Sequence, residues 1–180
     1  MSPFSYLAIF SLALTSATAA AAPGDSAPAA GPPKVVSTRQ QFLQAHNEAR
    51  AAAGVPPLAW NATLQLDAMR YAKELRTRCN AHPLVAWGTD GVYGLNLFKG
   101  TGRQPTAEAV ESWVGEGHWY DRGTGACAAP DGRNCGGYTQ VVWRATTQLG
   151  CSRRVCRNSV DTVAVCEYYP PGNVKSKRPY

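Results

Sequence analysis

A chain of 180 residues with a net charge of +6 is long enough for one domain with its own core and too short for two domains of ordinary size. Beyond residue 22, no stretch approaches the roughly 18 apolar residues of a membrane-spanning helix, which excludes stable membrane insertion of the mature chain. The positive charge is concentrated near the carboxyl terminus, where it could attract an extracellular polyanion or an acidic membrane surface, or could serve only as a solvated surface.

The amino-terminal segment predicts a secretory signal peptide over residues 1–22. An apolar run, YLAIFSLALTSATAAAA, decays into alanine, and Ala17-Thr18-Ala19 within it matches a small-x-small cleavage site. The alternative, a membrane anchor, is disfavoured because the run contains serines and threonines and leads into PGDSAPAAGPP. Residues 23–36 are rich in Ala, Pro and Gly and predict a flexible spacer. We therefore expect a secreted protein.

The cysteines predict how the domain is stabilised. All six lie between Cys79 and Cys166. In a secreted chain they favour three disulfides over zinc ligation, and the residues alone leave the connectivity open.

Three helical patterns occupy the first two thirds of the domain. The residues Ser37-Thr38-Arg39-Gln40 fit a capping box, and apolar residues follow at helical spacing until Gly54. A second pattern ends near Cys79, with one apolar face formed by Leu64, Ala68, Tyr71 and Leu75. Thr106 is a plausible N-cap for a third, short helix that fades at Gly115 and Gly117.

The last third favours strands. The runs 138–144, 148–155 and 162–169 predict three short strands, and the final run is apolar on both faces, which indicates a strand covered on both sides. Residues 80–105 show no sustained period and predict a long structured loop. Helices first and antiparallel strands later predict an α+β fold, a three-layer α/β/α sandwich with an antiparallel central sheet.

Sequence motifs give little support for catalysis. The chain has no G-x-S-x-G elbow, no H-E-x-x-H and no phosphate-binding glycine loop, and its cysteines are expected to be oxidised, so we predict no catalytic residue. His46 lies on the apolar face of the first helix and predicts a buried structural histidine, whereas His82, in the loop CNAHP, is better placed to point into a cleft. Glu116 and His118 would fall on different faces of a helix and would not chelate one ion.

Seven ordered blocks resemble one known family. They cover residues 42–180 and read HNEARAAAGVPPLAW, CNAH, YGLNLFKGTG, AVESWVGE, CGGYTQVVWRAT, LGCSRRVC and VCEYYPPGN…RPY. Their order is similar to the plant pathogenesis-related protein 1 group of the CAP superfamily, the SCP-domain proteins (cysteine-rich secretory proteins, antigen 5, pathogenesis-related 1). The resemblance implies a CAP domain, here placed at residues 37–169, with a central cleft and an extracellular location in the apoplast or cell wall. It also implies the disulfides Cys79 with Cys156, Cys127 with Cys135, and Cys151 with Cys166.

The resemblance also implies a cleft in which two histidines and two glutamates can bind a divalent cation. Of these four, His82 and Glu116 are present, while Leu95 stands where the family pattern has glutamate and Gly137 where it has histidine. A catalytic zinc normally keeps three protein ligands and a structural zinc four. We therefore predict no metal site and no cofactor.

Two further expectations rest on the resemblance. One is the binding of a sterol or related lipid along residues 97–120, with aromatic candidates Phe98, Trp113, Trp119 and Tyr120; plain core packing is the alternative for Trp113. The other is an excisable signalling peptide with the pattern P-x-G-N-x-x-x-x-R-P-Y, matched here by residues 170–180, with cleavage between Tyr169 and Pro170 and a cell-surface receptor as a possible partner. Glu167 departs from the asparagine of the family pattern before this tail. Proline, glycine and charge predict that the tail is extended and accessible to proteases.

These observations together favour a secreted, non-enzymatic plant defence protein, monomeric, with no nucleic-acid partner. The alternatives are a secreted CAP-type hydrolase and an extracellular binding protein with a developmental role. One residue stays open: Asn61, in the sequon Asn61-Ala62-Thr63, is a candidate for glycosylation and equally a candidate N-cap of the second helix.

Overall fold

The computed structural model of the protein describes residues 36–79, 91–157 and 160–180. The predicted signal peptide, the spacer up to residue 35 and the cleft candidate His82 lie outside these residues. Within them, no helix combines the length and the apolar character that crossing a bilayer requires.

The described residues contain nine elements, which form three layers. A four-stranded sheet of order β1-β3-β4-β2 lies in the middle, with α2 on one face and α1, α3 and α4 on the other. This arrangement confirms the predicted α/β/α sandwich. The elements are α1 (Thr38–Ala53), β1 (Ala59–Trp60), α2 (Ala62–Leu75), β2 (Gly94–Gly100), α3 (Thr106–Gly115), a 3₁₀ turn (Glu116–Trp119), α4 (Gly136–Val141), β3 (Gln148–Val155) and β4 (Thr162–Tyr169).

The first helix begins and ends where its sequence signals place it. The Ser37 hydroxyl accepts a hydrogen bond from the amide of Gln40, whose side chain accepts one from the amide of Ser37, so the predicted capping box is present. Gly54 ends α1 in the left-handed region at φ 72°, where glycine is favoured. The third helix starts one residue earlier than predicted, because Pro105 rather than Thr106 is its N-cap.

The three disulfides match the pairs that the resemblance implies. Cys79–Cys156 joins the segment after α2 to the end of β3, and Cys151–Cys166 links β3 to β4. Cys127–Cys135, whose cysteines are separated by 8 positions in the sequence, closes a short loop before α4. Among the described residues there is no free cysteine. None of these thiols is therefore available as a nucleophile.

The sheet is mixed rather than purely antiparallel. Strand β4 pairs antiparallel with both β2 and β3, and its first seven residues are buried, which confirms a strand covered on both faces. The correction comes from β1, which pairs parallel with β3. Because β1 has only two residues, it shows no periodicity by which it could be predicted.

Two other sequence predictions were wrong. The stretch predicted as a long loop contains β2, an edge strand whose residues are mostly half-buried, so its apolar residues show no clear alternation. The run 138–144, predicted as a strand from its β-branched and aromatic residues, instead begins within the short helix α4. Here tertiary contacts override local propensity. The carboxylate of Glu116 binds the start of this segment, and the guanidinium of Arg50 binds its end.

Arg50 lies in α1 and is fully buried. It donates to four backbone carbonyls and to no carboxylate: its Nε to Pro56 at 2.6 Å, its Nη1 to Val141 and Trp143 at 2.9 Å each, and its Nη2 to Thr146 at 3.0 Å. Burial lowers the pKa of Arg50 to about 10; Tyr168 raises it and Arg144 lowers it further, both by smaller amounts, so Arg50 stays charged at neutral pH. This one side chain ties α1 to the end of α4 and to the turn before β3.

We expect the substitution Arg50→Met to lower the free energy of unfolding by at least about 3 kcal/mol, because it leaves three buried carbonyls and one partly buried carbonyl without their donor. Urea unfolding followed by circular dichroism measures the change. The matched control is Arg103→Met, which alters an exposed arginine in the loop before α3 and should change the free energy by less than about 0.5 kcal/mol. Equal stability of the two variants would contradict the structural role given to Arg50.

Candidate functional site

Glu116 occupies the place that a side chain at position 137 would need. Its Oε2 accepts hydrogen bonds from the backbone amides of Gly137 at 2.7 Å and Tyr138 at 3.1 Å, at the start of α4. A Cβ atom built on Gly137 would lie 2.8 Å from the same Oε2 and 2.9 Å from Oε1. The carboxylate and a side chain at 137 therefore exclude each other.

The surroundings of Glu116 favour a structural role for its carboxylate. It is half-buried, and burial raises its pKa, while the hydrogen bonds from Tyr138 and Gly137 act in the opposite direction. One of its two oxygens already accepts two amide protons. Because Oε2 accepts both bonds, only Oε1 is left to bind a further group.

Leu95 points away from Glu116, to the other face of the sheet. Its neighbour Asn96 donates to the carbonyl of Gly137 at 3.0 Å, so Asn96 faces α4. Successive residues of a strand point to opposite faces, and Leu95 accordingly packs against the buried cluster between the sheet and α2. Of the four cleft positions, the three that the structure describes do not together fit a divalent cation: Leu95 is apolar and turned away, Gly137 has no side chain, and one oxygen of Glu116 is engaged by the backbone.

A carboxylate lies directly across from Leu95 on the neighbouring strand. Leu95 of β2 pairs with Glu167 of β4, and cross-strand partners share a face of the sheet. Glu167 is 4% exposed, and its Oε2 has no hydrogen-bond partner in the described part of the chain. Burial, followed by the nearby charge of Asp67, raises the pKa of Glu167 to about 7. The sequence singled out Glu167 only as a departure before the tail, and register alone shows that it faces Leu95.

The described histidines offer no metal site. His46 is fully buried, as predicted, with Nδ1 2.7 Å from the carbonyl oxygen of Phe42 and Nε2 2.8 Å from the hydroxyl of Tyr168. Burial lowers its pKa to about 4. His46 lies near Cys151 and Cys166, but these sulfurs form a disulfide and cannot ligate as thiolates. His118 is exposed in the 3₁₀ turn, with its ring against Trp119.

The four aromatic candidates for lipid binding have different surroundings. Trp113 is buried in the core and donates its indole N–H to the carbonyl of Leu97 at 3.0 Å. Phe98 is half-buried on β2, and Trp119 is half-buried with the guanidinium of Arg133 5.2 Å from its ring centroid. Tyr120 packs against the rings of Tyr138 and Tyr180. Phe98 and Trp119 are thus the candidates with partly exposed rings outside the tail contacts, and Phe98 also packs against the core.

Asn61 acts as the N-cap of α2. Its side-chain oxygen accepts from the amides of Thr63 at 2.7 Å and Leu64 at 3.2 Å, and its Nδ2 donates to Gln148 at 2.5 Å. The capping prediction for this residue is therefore confirmed. A glycan would be attached to the same Nδ2 that holds Gln148, so glycosylation stays a prediction that competes with this bond.

The predicted cleavage position lies at the end of β4. The carbonyl of Tyr169 accepts from the amide of Thr147 at 3.0 Å, and that of Pro170 accepts from the hydroxyl of Thr146 at 2.9 Å. The Tyr169 side chain is 45% exposed. Hydrogen bonds therefore hold the backbone on both sides of the Tyr169-Pro170 peptide bond, although the side chain of Tyr169 is open to solvent.

Comparison with known proteins gives one consistent result. The model of the CAP family, described as the cysteine-rich secretory protein family, matches residues 43–168. The chain is 43% identical over 143 residues to pathogenesis-related protein PRMS of Zea mays, covering 78% of this chain and 81% of that protein. It is 44% identical over 145 residues to pathogenesis-related protein 1A of Nicotiana tabacum, covering 80% and 82%. The crystal structure of NaASP2 with Zn²⁺ aligns with a TM-score of 0.61 and 24% identity, covering 79% of this chain and 84% of that one, and shows a shared fold.

We expect Glu116→Leu to lower the free energy of unfolding by about 1 to 2 kcal/mol, because the start of α4 loses the acceptor of two amides. Glu116→Gln should cost clearly less, since its amide oxygen can still accept both bonds. Denaturant unfolding compares the two variants, with Glu111→Leu at an exposed position of α3 as the control. A loss of similar size in Glu111→Leu would contradict a capping role for Glu116.

The raised pKa of Glu167 predicts that the stability of the fold decreases as pH rises. In the unfolded chain a glutamate ionises near pH 4.5, whereas in the folded chain the pKa of Glu167 is about 7. Between these values the folded state keeps a proton that the unfolded state has lost, so the stabilising contribution is complete below pH 4.5 and is lost as pH rises through 7. We expect Glu167→Gln to remove this component from a plot of melting temperature against pH. Identical profiles for the variant and the wild type would refute the assignment.

Proposed function

This chain belongs to the CAP family of cysteine-rich secretory proteins, and from that premise we propose that it is a secreted, non-enzymatic defence protein with a degenerate metal cleft. Its relatives in maize and tobacco are named pathogenesis-related proteins, which supports the defence role. The observation that carries the non-enzymatic part is the Glu116 carboxylate, which fills the space beside Gly137 and binds two backbone amides.

A hydrolase is the less favoured function. Hydrolysis requires a nucleophile, a general base with access to substrate, or a metal that activates water. The described cysteines form disulfides, His46 is buried and bonded through both nitrogens, and Glu116 is held by α4. These three groups are therefore occupied by structural roles that oppose catalysis.

We propose that the defence role includes binding of a sterol or similar flat apolar ligand. The ring of Phe98, which is half-buried on the edge strand β2, supports this proposal. An apolar surface at a sheet edge, with a ring such as Phe98, suits a rigid hydrocarbon ligand. The ligand would bind without any contribution from the lost cleft residues.

The carboxyl-terminal peptide is the second proposed route of action. Residues 170–180 keep the pattern P-x-G-N-x-x-x-x-R-P-Y, and Tyr169 before them has an exposed side chain. We propose that a protease cuts after Tyr169 and that the peptide then signals at the cell surface. A developmental role for the same protein would show itself as transcript levels that do not respond to infection.

One experiment separates the metal cleft from ligand binding. We expect wild type to retain no stoichiometric zinc after dialysis and to bind a fluorescent sterol saturably, and we expect the double variant Leu95→Glu, Gly137→His to bind the sterol equally well. Phe98→Ala should weaken sterol binding by about tenfold, whereas Val92→Ala, at an exposed position, should not. Stoichiometric zinc on wild type, or no saturation by sterol in the micromolar range, would overturn the corresponding half of the proposal.

A further inference from the structure

The start of the carboxyl-terminal tail is inserted against α4. The amide of Gly172 donates to Oε1 of the buried Gln140 at 2.9 Å, and a Cβ atom built on Gly172 would lie 2.7 Å from Nε2 of the same side chain. Asn173 donates to the carbonyl of Gly136 at 2.9 Å and accepts from the hydroxyl of Thr139 at 2.6 Å. A side chain at position 172 would require the end of the buried Gln140 side chain to move, and the side-chain amide of Asn173 binds one acceptor and one donor of the domain.

The end of the tail is held at a second place. The carbonyl of Pro179 accepts from the amide of Arg144 at 2.7 Å, and Pro179 is buried. The ring of Tyr180 lies 4.4 Å from the guanidinium carbon of Arg122 and edge-on to Tyr120, and its hydroxyl is 3.2 Å from that of Tyr138. These contacts combine aromatic packing, a cation–π contact and a hydrogen bond.

Arg178 adds a contact next to this second place. Its Nη1 donates to the carbonyl of Gly123 at 2.8 Å, on the turn-rich segment before α4. The Arg178-Pro179-Tyr180 end of the tail therefore touches the domain through all three of its residues.

Between the two anchored ends, the tail is exposed. Residues 174–177 lie open to solvent, and the amide of Lys177 bonds to the carbonyl of Val174 within the tail itself. Beneath this arch is a cavity of about 260 Å³ lined by residues that include Tyr120, Thr139 and Trp143. The specified residues of the P-x-G-N-x-x-x-x-R-P-Y pattern thus make the hydrogen bonds and ring contacts to the domain, and four of its five variable positions, residues 174–177, are exposed.

We infer that the CAP domain contains a binding site for its own carboxyl-terminal peptide, so that a cut after Tyr169 leaves residues 170–180 bound. The two anchored ends lie on opposite sides of the exposed arch, and neither depends on the Tyr169-Pro170 bond. The inference rests on the proposed release of this peptide and adds a second requirement to it. After cleavage, the peptide must also dissociate from the domain before it is released. The residues of the pattern that hold it there are Gly172, Asn173, Pro179 and Tyr180.

The test measures binding of the free peptide to the full chain. A synthetic PPGNVKSKRPY carries a fluorophore on the amine of Lys175, which is exposed in the arch. The receiving protein is the full chain with two substitutions. Gly172→Ala places a methyl group against Gln140, and Tyr180→Ala removes the terminal ring, so that the chain's own tail leaves the site. We expect saturable binding by fluorescence anisotropy. Wild type should bind at least about tenfold more weakly, because its tethered tail competes at an effective concentration in the millimolar range.

Peptide variants provide matched controls. A peptide with Tyr180→Ala should bind at least about tenfold more weakly than the natural peptide, whereas one with Val174→Ala, an exposed position, should bind equally. Absence of saturable binding to the folded double variant, or equal binding of the Tyr180→Ala peptide, would overturn the inference.

A second measurement covers a double variant that fails to fold. Amide hydrogen exchange of the wild-type chain, resolved by NMR, should show the amide of Gly172 exchanging at least about tenfold more slowly than that of Lys175. Equal exchange of the two amides would mean that the tail is not docked in solution. Neither measurement uses a protease. Mass spectrometry for the free peptide in extracellular fluid tests the proposed release separately, so failure of docking and failure of release can be distinguished.

Discussion

The buried guanidinium of Arg50 is the constraint on which the rest of the structure depends. A charge with no carboxylate beside it can stay inside a protein only when its donors find acceptors, and here four carbonyls accept from four of the five N–H groups of Arg50. Three of those carbonyls lie between Val141 and Thr146, so the end of α4 and the turn before β3 have one permitted path. The segment that precedes this path holds Gly137 and Gln140, and its position is therefore fixed from inside the domain.

The polar residues around the cleft have structural partners in this chain. Glu116 caps α4, and His46 bridges the carbonyl of Phe42 and the hydroxyl of Tyr168. With its pKa lowered to about 4, His46 stays neutral over the ordinary pH range and keeps this bridge. Catalytic groups, by contrast, must exchange protons or ligands during turnover. The structural engagement of Glu116 and His46 is thus an argument for the proposed binding function over the alternative of a hydrolase.

How much of this could be predicted from the sequence depended on whether the signal was local. The Ser37 capping box and the Asn61 cap are short-range patterns, and both appear in the structure. The strand β4 was predictable because burial on both faces leaves a continuous apolar run. The helix α4 was not, because its stability comes from Glu116 and Arg50, which are distant in sequence. The docked tail was missed for the same reason: proline, glycine and charge describe the composition of the tail, while Gln140 and Tyr138 determine its position.

Residues that differ from a family pattern also have to be considered together with their neighbours. Taken singly, Leu95 is a lost carboxylate and Glu167 an unrelated departure, yet the register places them opposite each other on one face of the sheet. Gly137 likewise has two neighbours that matter: Glu116 fills its side-chain space, and the adjacent Gly136 carbonyl receives Asn173 of the tail. A side chain at 137 would displace Glu116 and disturb the turn that receives the tail. The Glu116 contact and the tail contact therefore lie next to each other at the start of one helix of six residues.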